Sequence, residues 1–107
     1  MLYRIDNVTL PEAARAEFEQ QAGRTVSLLR RQPGFVRADR FEKIAGPGKV
    51  NVIIMAVWKD QESIDAAATA VQAMHEDSGF DPAAFRRERG IVGSNALYAL
   101  RSSDAAE

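Results

Sequence analysis

Val50-Asn51-Val52-Ile53-Ile54-Met55-Ala56-Val57-Trp58 is the stretch on which the fold turns. A strand with one solvated face alternates apolar and polar side chains. This one is apolar almost throughout and rich in β-branched residues, which reads as a strand buried on both faces. A chain of 107 residues can cover one face of an open sheet with its own helices. Something else must cover the other, and a second copy of the chain is the economical answer.

Outward from that strand the rest of the pattern falls into place. Residues 2–10 (LYRIDNVTL) alternate and read as a first strand, with Tyr3, Ile5, Asn7 and Thr9 on one face and Leu2, Arg4, Asp6, Val8 and Leu10 on the other. Pro11 suits a first helical position, and Ala14, Phe18, Ala22, Val26 and Leu29 follow at helical spacing up to Pro33-Gly34. Arg30 and Arg31 fall in the expected last turn. Phe35–Ile44 reads as a second, partly exposed strand, and residues 45–49 (AGPGK) as a turn. Its Gly48-Lys49 pair is no phosphate loop, because no glycine stands five positions earlier and Val50 replaces the required Ser or Thr.

Beyond the central strand, Asp60 can cap a second helix over residues 61–75, and Asp77, Ser78 and Gly79 break it. Asp81-Pro82 opens a short helix that ends near Gly90, and Ile91–Leu100 reads as the last strand. The interrupted segment 76–90 is expected to be the most mobile internal part, a candidate lid. Residues 1–101 are thus expected to form one domain, with 102–107 a polar tail. The order strand, helix, strand, strand, helix, short helix, strand predicts an α+β fold with a four-stranded antiparallel sheet and helices on one face.

Composition narrows the function classes. Apolar residues make up 46% of the chain, but 18 of them are alanine, a modest core that again favours a partner subunit. Basic and acidic residues nearly balance, 14 against 15, and the basic ones are scattered, so nucleic acid is not the expected partner. The apolar run Val52–Trp58 is too short to span a membrane. With no cysteine and one histidine, disulfides, thiol catalysis and all-protein zinc sites are excluded. Charges in Met1–Asp6 interrupt the apolar stretch a secretory signal needs, so the cytoplasm is the expected location.

His75 is the most informative single residue. From Ile64 it lies eleven helical steps on, about 20° from superposition, and Ala68 and Val71 fall within about 40° of the same direction. The only imidazole therefore lies in the apolar stripe near the helix end. It is either an acid/base group or axial metal ligand, or a core histidine bonded to a carbonyl. Asn7, an amide in mid-strand, either orients a bound molecule or bonds to a neighbouring loop. The alanines of the second helix either let it approach the sheet closely or leave room for a ligand. Trp58 ends the buried strand as a pocket wall or as core. Arg86, Arg87 and Arg89 are either an anion-attracting cluster or a solvated face.

Two stretches together resemble a known family. Gln32-Pro33-Gly34-Phe35 stands at the helix-to-strand junction, and Met55-Ala56-Val57-Trp58 runs into Lys59-Asp60-Gln61-Glu62-Ser63-Ile64 at the start of the second helix. The chain resembles the antibiotic biosynthesis monooxygenase (ABM) family over roughly residues 2–100. The resemblance implies a ferredoxin-like subunit whose sheet packs against a partner's, giving a dimeric α+β barrel. Family members include cofactor-independent oxygenases of polycyclic aromatics and heme-degrading oxygenases. In the heme-degrading branch the site holds an asparagine of the first strand, a tryptophan of the second helix and a histidine near that helix's end. Asn7 matches the first and His75 approximately the third. Ala67 stands where the tryptophan would be, and a methyl group cannot do the work of an indole that distorts a porphyrin.

The first expectation is a monooxygenase or related oxidoreductase that takes a small, quinol-like aromatic between the sheet and the second helix. It needs no cofactor: Asn7 and His75 act on the substrate, and Trp58, Ala67, Phe80 and Phe85 shape the pocket. The second is heme binding or degradation, with His75 as axial ligand. The third is a non-catalytic dimeric binding or regulatory protein, which a sheet–helix space filled by Phe18, Met74 and their neighbours would favour.

Overall fold

The alternating segment at the start of the chain forms strand β1, Leu2–Leu10, in a computed structural model that describes residues 1–107. Pro11 stays extended, so it stands before the helix rather than in its first turn, and a 3₁₀ turn, Glu12–Ala14, leads into α1, Arg15–Leu29. Arg30 caps that helix instead of lying in its last turn. Strands β2 (Phe35–Glu42) and β3 (Val50–Trp58) follow, then α2 (Gln61–Ser78), α3 (Pro82–Arg89) and β4 (Val92–Ala99).

The start of α2 is where the sequence expected it. The Asp60 carboxylate accepts from the Ser63 N–H at 2.8 Å, satisfying one of the free donors of the first turn. Its end lies three residues later than the turn formers suggested. Ser78 Oγ donates back to the Met74 carbonyl at 2.9 Å and remains helical. Gly79 then takes the left-handed conformation, and the Phe80 N–H closes the helix on the His75 carbonyl at 2.9 Å. Asp81 and Gly90 bound α3 in the same manner.

All neighbouring strands are antiparallel, in the order β2-β3-β1-β4. The most apolar strand is therefore interior, paired on both edges. Gly34 ties this sheet to α2: its φ is +82°, and a Cβ there would lie 2.0 Å from Ser63 Oγ. Its carbonyl accepts from the Lys59 N–H at 2.8 Å, and Phe35 meets Trp58 edge to face at 5.3 Å. The two stretches that carried the family resemblance thus touch, around one glycine that cannot be replaced without moving the helix.

The helices all lie on one face of the sheet, and the molecule is 18 Å across its thinnest direction, two layers deep. Even-numbered residues of β1 and β3 point to the helices. One core cluster gathers Val8, Leu10, Ala14, Phe18, Val52 and Ile91; a second gathers Ala56, Trp58, Ile64 and Ala67. The register puts Tyr3, Ile5, Ile53, Met55, Phe41 and Tyr98 on the opposite face. No helix covers that face: Phe41 and Tyr98 are each 52% exposed, Tyr3, Ile5, Ile53 and Met55 are half-buried among their sheet neighbours, and Val57 is fully buried. The two-sided apolar character of β3 is real, and one of its sides is uncovered.

Candidate active site

Where the two core clusters do not meet, the helices stand off the sheet and enclose a cavity of about 680 Å³. That volume lies within the range of about 300–1,000 Å³ typical of small-molecule sites. The sequence explains the gap. Ala22 of α1, Ala38 of β2, Ala56 of β3, and Ala67 and Ala68 of α2 all face it, and methyl groups cannot fill the space between a helix and a sheet. Of the two readings of the alanine-rich helix, the one that leaves room holds at positions 67 and 68. Phe18 lines the space without filling it, and Met74 is not on its wall.

The walls are largely apolar. The stripe of α1 predicted from spacing supplies Phe18, Val26 and Leu29, and that of α2 supplies Ile64 and Val71; Trp58 closes one end. His75 belongs to the same stripe, as the helical angle required. Its ring is half-buried and lies 5.2 Å from Phe80, which also lines the cavity. The side chain makes no hydrogen bond within the chain, so its ring is open to a ligand in the cavity. The lining residues Ala68, Gln72, Glu76, Gly79, Pro82 and Asn95 are exposed, so the cavity opens along the outer side of α2, at the α2–α3 junction and beside β4.

His75, Trp58, Ala67 and Phe80 are therefore brought together. Phe85 is not on the wall: it backs Phe80 at 5.3 Å and packs against the first core cluster. Asn7 is not there either. The strict two-residue period of β1 puts it on the face away from the helices, where it is exposed and its Oδ1 accepts from Asn51 Nδ2 at 2.7 Å. The same Asn51 amide donates to the Val8 carbonyl and to Thr9 Oγ1, both at 3.1 Å.

What does face the cavity from β1 is Asp6, flanked by Arg4, with Asn95 of β4 directly across the register. Arg86 of α3 joins them, whereas Arg89 of the same cluster pairs with Glu17 at 2.8 Å and lies over the Phe85 ring at 4.2 Å. Arg87 is solvated. Burial pushes the Asp6 carboxyl above the usual carboxylate range, and the positive charges of Arg4 and Arg86 oppose that rise without cancelling it. The available signal for Asp6 was parity: it is an acid on the strand face that also carries Val8 and Leu10. No three histidine or carboxylate side chains gather as a metal site, so an iron here would have His75 as its one imidazole ligand.

A four-stranded antiparallel sheet of this order, with two crossover helices packed on one face, defines a ferredoxin-like α+β fold. The chain belongs to the antibiotic biosynthesis monooxygenase family, whose sequence model matches residues 1–77. Among solved structures it is similar to SnoaB, a cofactor-independent oxygenase from Streptomyces nogalater, at 23% identity over 95% of this chain and 94% of that one, with a TM-score of 0.70. It is also similar to MhuD, a heme degrader from Mycobacterium tuberculosis with two hemes bound in its active site, at 16% identity over 98% and 100% of the two chains, with a TM-score of 0.67. No curated protein sequence matches the chain significantly. No helix is long and apolar enough to cross a membrane.

Proposed function

We propose that this protein is a small-molecule oxygenase whose substrate is an electron-rich, quinol-like aromatic that reacts with dioxygen without a bound cofactor. The observation that carries the reading is the cavity itself, largely apolar, with Phe18, Trp58 and Phe80 in its walls and a few ionisable groups contributed by β1, α2 and α3. Such chemistry asks little of the protein beyond placement. The substrate supplies the electrons, one oxygen atom enters a ring carbon and the other leaves as water. The site must hold the ring, accept a proton and stabilise the electron-rich anion that meets oxygen. Trp58 and Phe80 hold the ring, Ala67 leaves space for it, and His75 exchanges protons. The orienting amide is Asn95 rather than Asn7, because Asn95 is the one that lines the cavity.

The test is oxygen uptake across a panel of quinols and hydroxyanthrones. Substrate-dependent uptake, reduced in His75→Ala and abolished when Ala67→Trp fills the slot, is the expected result. No uptake with any member by the folded protein sinks the reading.

A second copy of the chain covers the open face of the sheet in this reading, burying Ile5, Ile53, Met55 and Phe41 against their counterparts. The similarity to MhuD and the free His75 imidazole also favour a second ligand, heme. His75 would be its iron ligand, and Arg4 and Arg86 are the cations available to its propionates. Bound there, heme would supply iron-based activation of oxygen. Against it, the buried wall position 67 is a methyl group, and Glu76 adds negative charge beside the histidine. A hemin titration of wild type and His75→Ala decides: a saturable Soret shift lost in the variant establishes heme, and no shift removes it.

A further inference from the structure

Asp6 is the one acid on the sheet floor of the cavity. Its neighbours across the register are Ile54 and Asn95, and two positions along its own face stand Arg4 and Val8. It makes neither a hydrogen bond nor a salt bridge within the chain, although both arginines are close enough to act on it through their charge. No buried side-chain nitrogen or oxygen of the protein is left without a partner, so the Asp6 carboxylate is open to the cavity rather than sealed in the core. A carboxylate carried into apolar surroundings without a donor costs stability, and a site that keeps one has a use for the missing donor.

We propose that Asp6 is the specificity-determining residue of this cavity, its carboxylate recognising an aromatic ligand through the O–H, with Arg86 and Arg4 as the countercharge beside it. This rests on the reading that the cavity takes a quinol-like aromatic, and it names the residue by which that molecule's hydroxyl is chosen. An ionised carboxylate only accepts hydrogen bonds, so it selects a ligand that donates one. An aryl ether of the same shape offers no donor and leaves the carboxylate desolvated and unpaired.

The surroundings are consistent with such a role. Arg4 faces Asp6 from β1 and Arg86 from α3; α2 contributes His75 and Glu76; β4 contributes Asn95; and α1 contributes only the uncharged Gln21 and Thr25. Arg86 passes over Gly93 of β4, where a Cβ would lie 2.7 Å from its Nη1. When the proton passes fully to Asp6, the ligand O–H bond breaks, an Oδ–H bond forms, and the electron pair stays on the ligand oxygen. The two arginines then face a phenolate, the electron-rich form that dioxygen can oxidise.

The experiment compares 2-naphthol with 2-methoxynaphthalene, binding each to the full chain at neutral pH. The charge-assisted hydrogen bond makes 2-naphthol the tighter ligand by about tenfold or more. Asp6→Leu, which removes the acceptor, is expected to bring the two ligands level by weakening only the naphthol; Asp6→Asn, which keeps a neutral acceptor oxygen, and Arg86→Gln are expected to narrow the gap, and Asn7→Ala to leave it intact. Equal affinities in the wild type, or a preference that survives Asp6→Leu, overturn the assignment while the aromatic cavity stands. If neither compound binds the folded protein, the cavity reading falls and this inference falls with it.

Discussion

Asp6 and Asn7 are chain neighbours on β1 with opposite fates, and the contrast describes the two faces of the sheet. Asn7 looks away from the helices, and its carbonyl oxygen is taken by Asn51, which also holds Val8 and Thr9. Its polarity is spent inside the protein. Asp6 looks into the cavity and has no partner in the chain. The faces as a whole repeat this inversion. The helix-covered side, where apolar residues are expected, holds the unpaired charge; the uncovered side, where polar residues are expected, holds Ile5, Ile53, Met55 and Phe41. A misplaced apolar face asks for a protein surface, and a misplaced charge asks for a small ligand.

The largest effect should come from breaking the first half of that contrast. Met55→Glu puts a carboxylate in the middle of the open face, twice over in a symmetric dimer, where it would be buried against its own copy. Sedimentation velocity should show a wild-type dimer and a variant weakened by at least about a hundredfold, since an unpaired buried charge costs about 3–5 kcal/mol. A wild type that is monomeric at micromolar concentration would leave the apolar face unexplained and end the dimer reading.

Next in size is the contrast within α1, where one helix packs and then stands clear. Phe18 is 5% exposed in the first core cluster, and Phe18→Ala should cost about 3–5 kcal/mol in urea unfolding. Val26 faces the cavity and is already half solvated, so Val26→Ala should cost about 1 kcal/mol or less. Similar losses at both positions would mean that the cavity closes in solution.

The fold was largely legible in the sequence because each of its decisions is local. The apolar run of β3, the Pro33-Gly34 stop and the Asp60 and Asp81 caps each act within a few residues, and all landed within two or three positions of their predicted places. The Asp77-Ser78 stop failed because a serine hydroxyl can bond back to the helix it was expected to end. The site was legible only where helical geometry alone decides, as at His75. Asn7 has the chemical type of a site residue and matches the family's first-strand asparagine, yet the alternation of β1 sets it apart from Val8 and Leu10, the apolar side chains that meet the helices. Phe85 and Arg86 share one short helix, and which of them reaches the cavity is set by how that helix packs on the first core cluster and β4, long-range contacts no local pattern encodes.

Smaller again is the loss expected at Asn7 itself. Asn7→Ala removes one of three acceptors of the Asn51 amide and leaves the other two, at an exposed position. The cost should be about 0.5–1.5 kcal/mol in urea unfolding, at the lower end of that range, with no change in ligand binding. A defect in turnover or binding without a stability loss would return Asn7 to the site and erase the division between the faces.

The finest test uses the sign of the Asp6 shift. Its carboxyl is raised above the ordinary value of 3.8, mainly by burial. Between 3.8 and the raised native value, the folded chain holds this proton and the unfolded chain does not. Stability therefore falls as pH rises through that window, and above it the ionised carboxylate is a standing cost to the fold. Asp6→Asn removes the cost, so the variant should melt higher than wild type at pH 7, and the gap should close once the pH drops below 3.8. Asp60 is shifted the other way, lowered by its hydrogen bonds from Ser63, so its contribution is lost as pH falls. That loss is common to both proteins and cancels in their difference. A variant more stable yet weaker in its preference for the ligand hydroxyl is the mark of a residue kept for function at the expense of the fold. A variant less stable at pH 7 would mean that Arg4 and Arg86 hold the carboxylate as a structural ion pair, and Asp6 would then belong with Asn7 among the residues whose polarity the protein uses on itself.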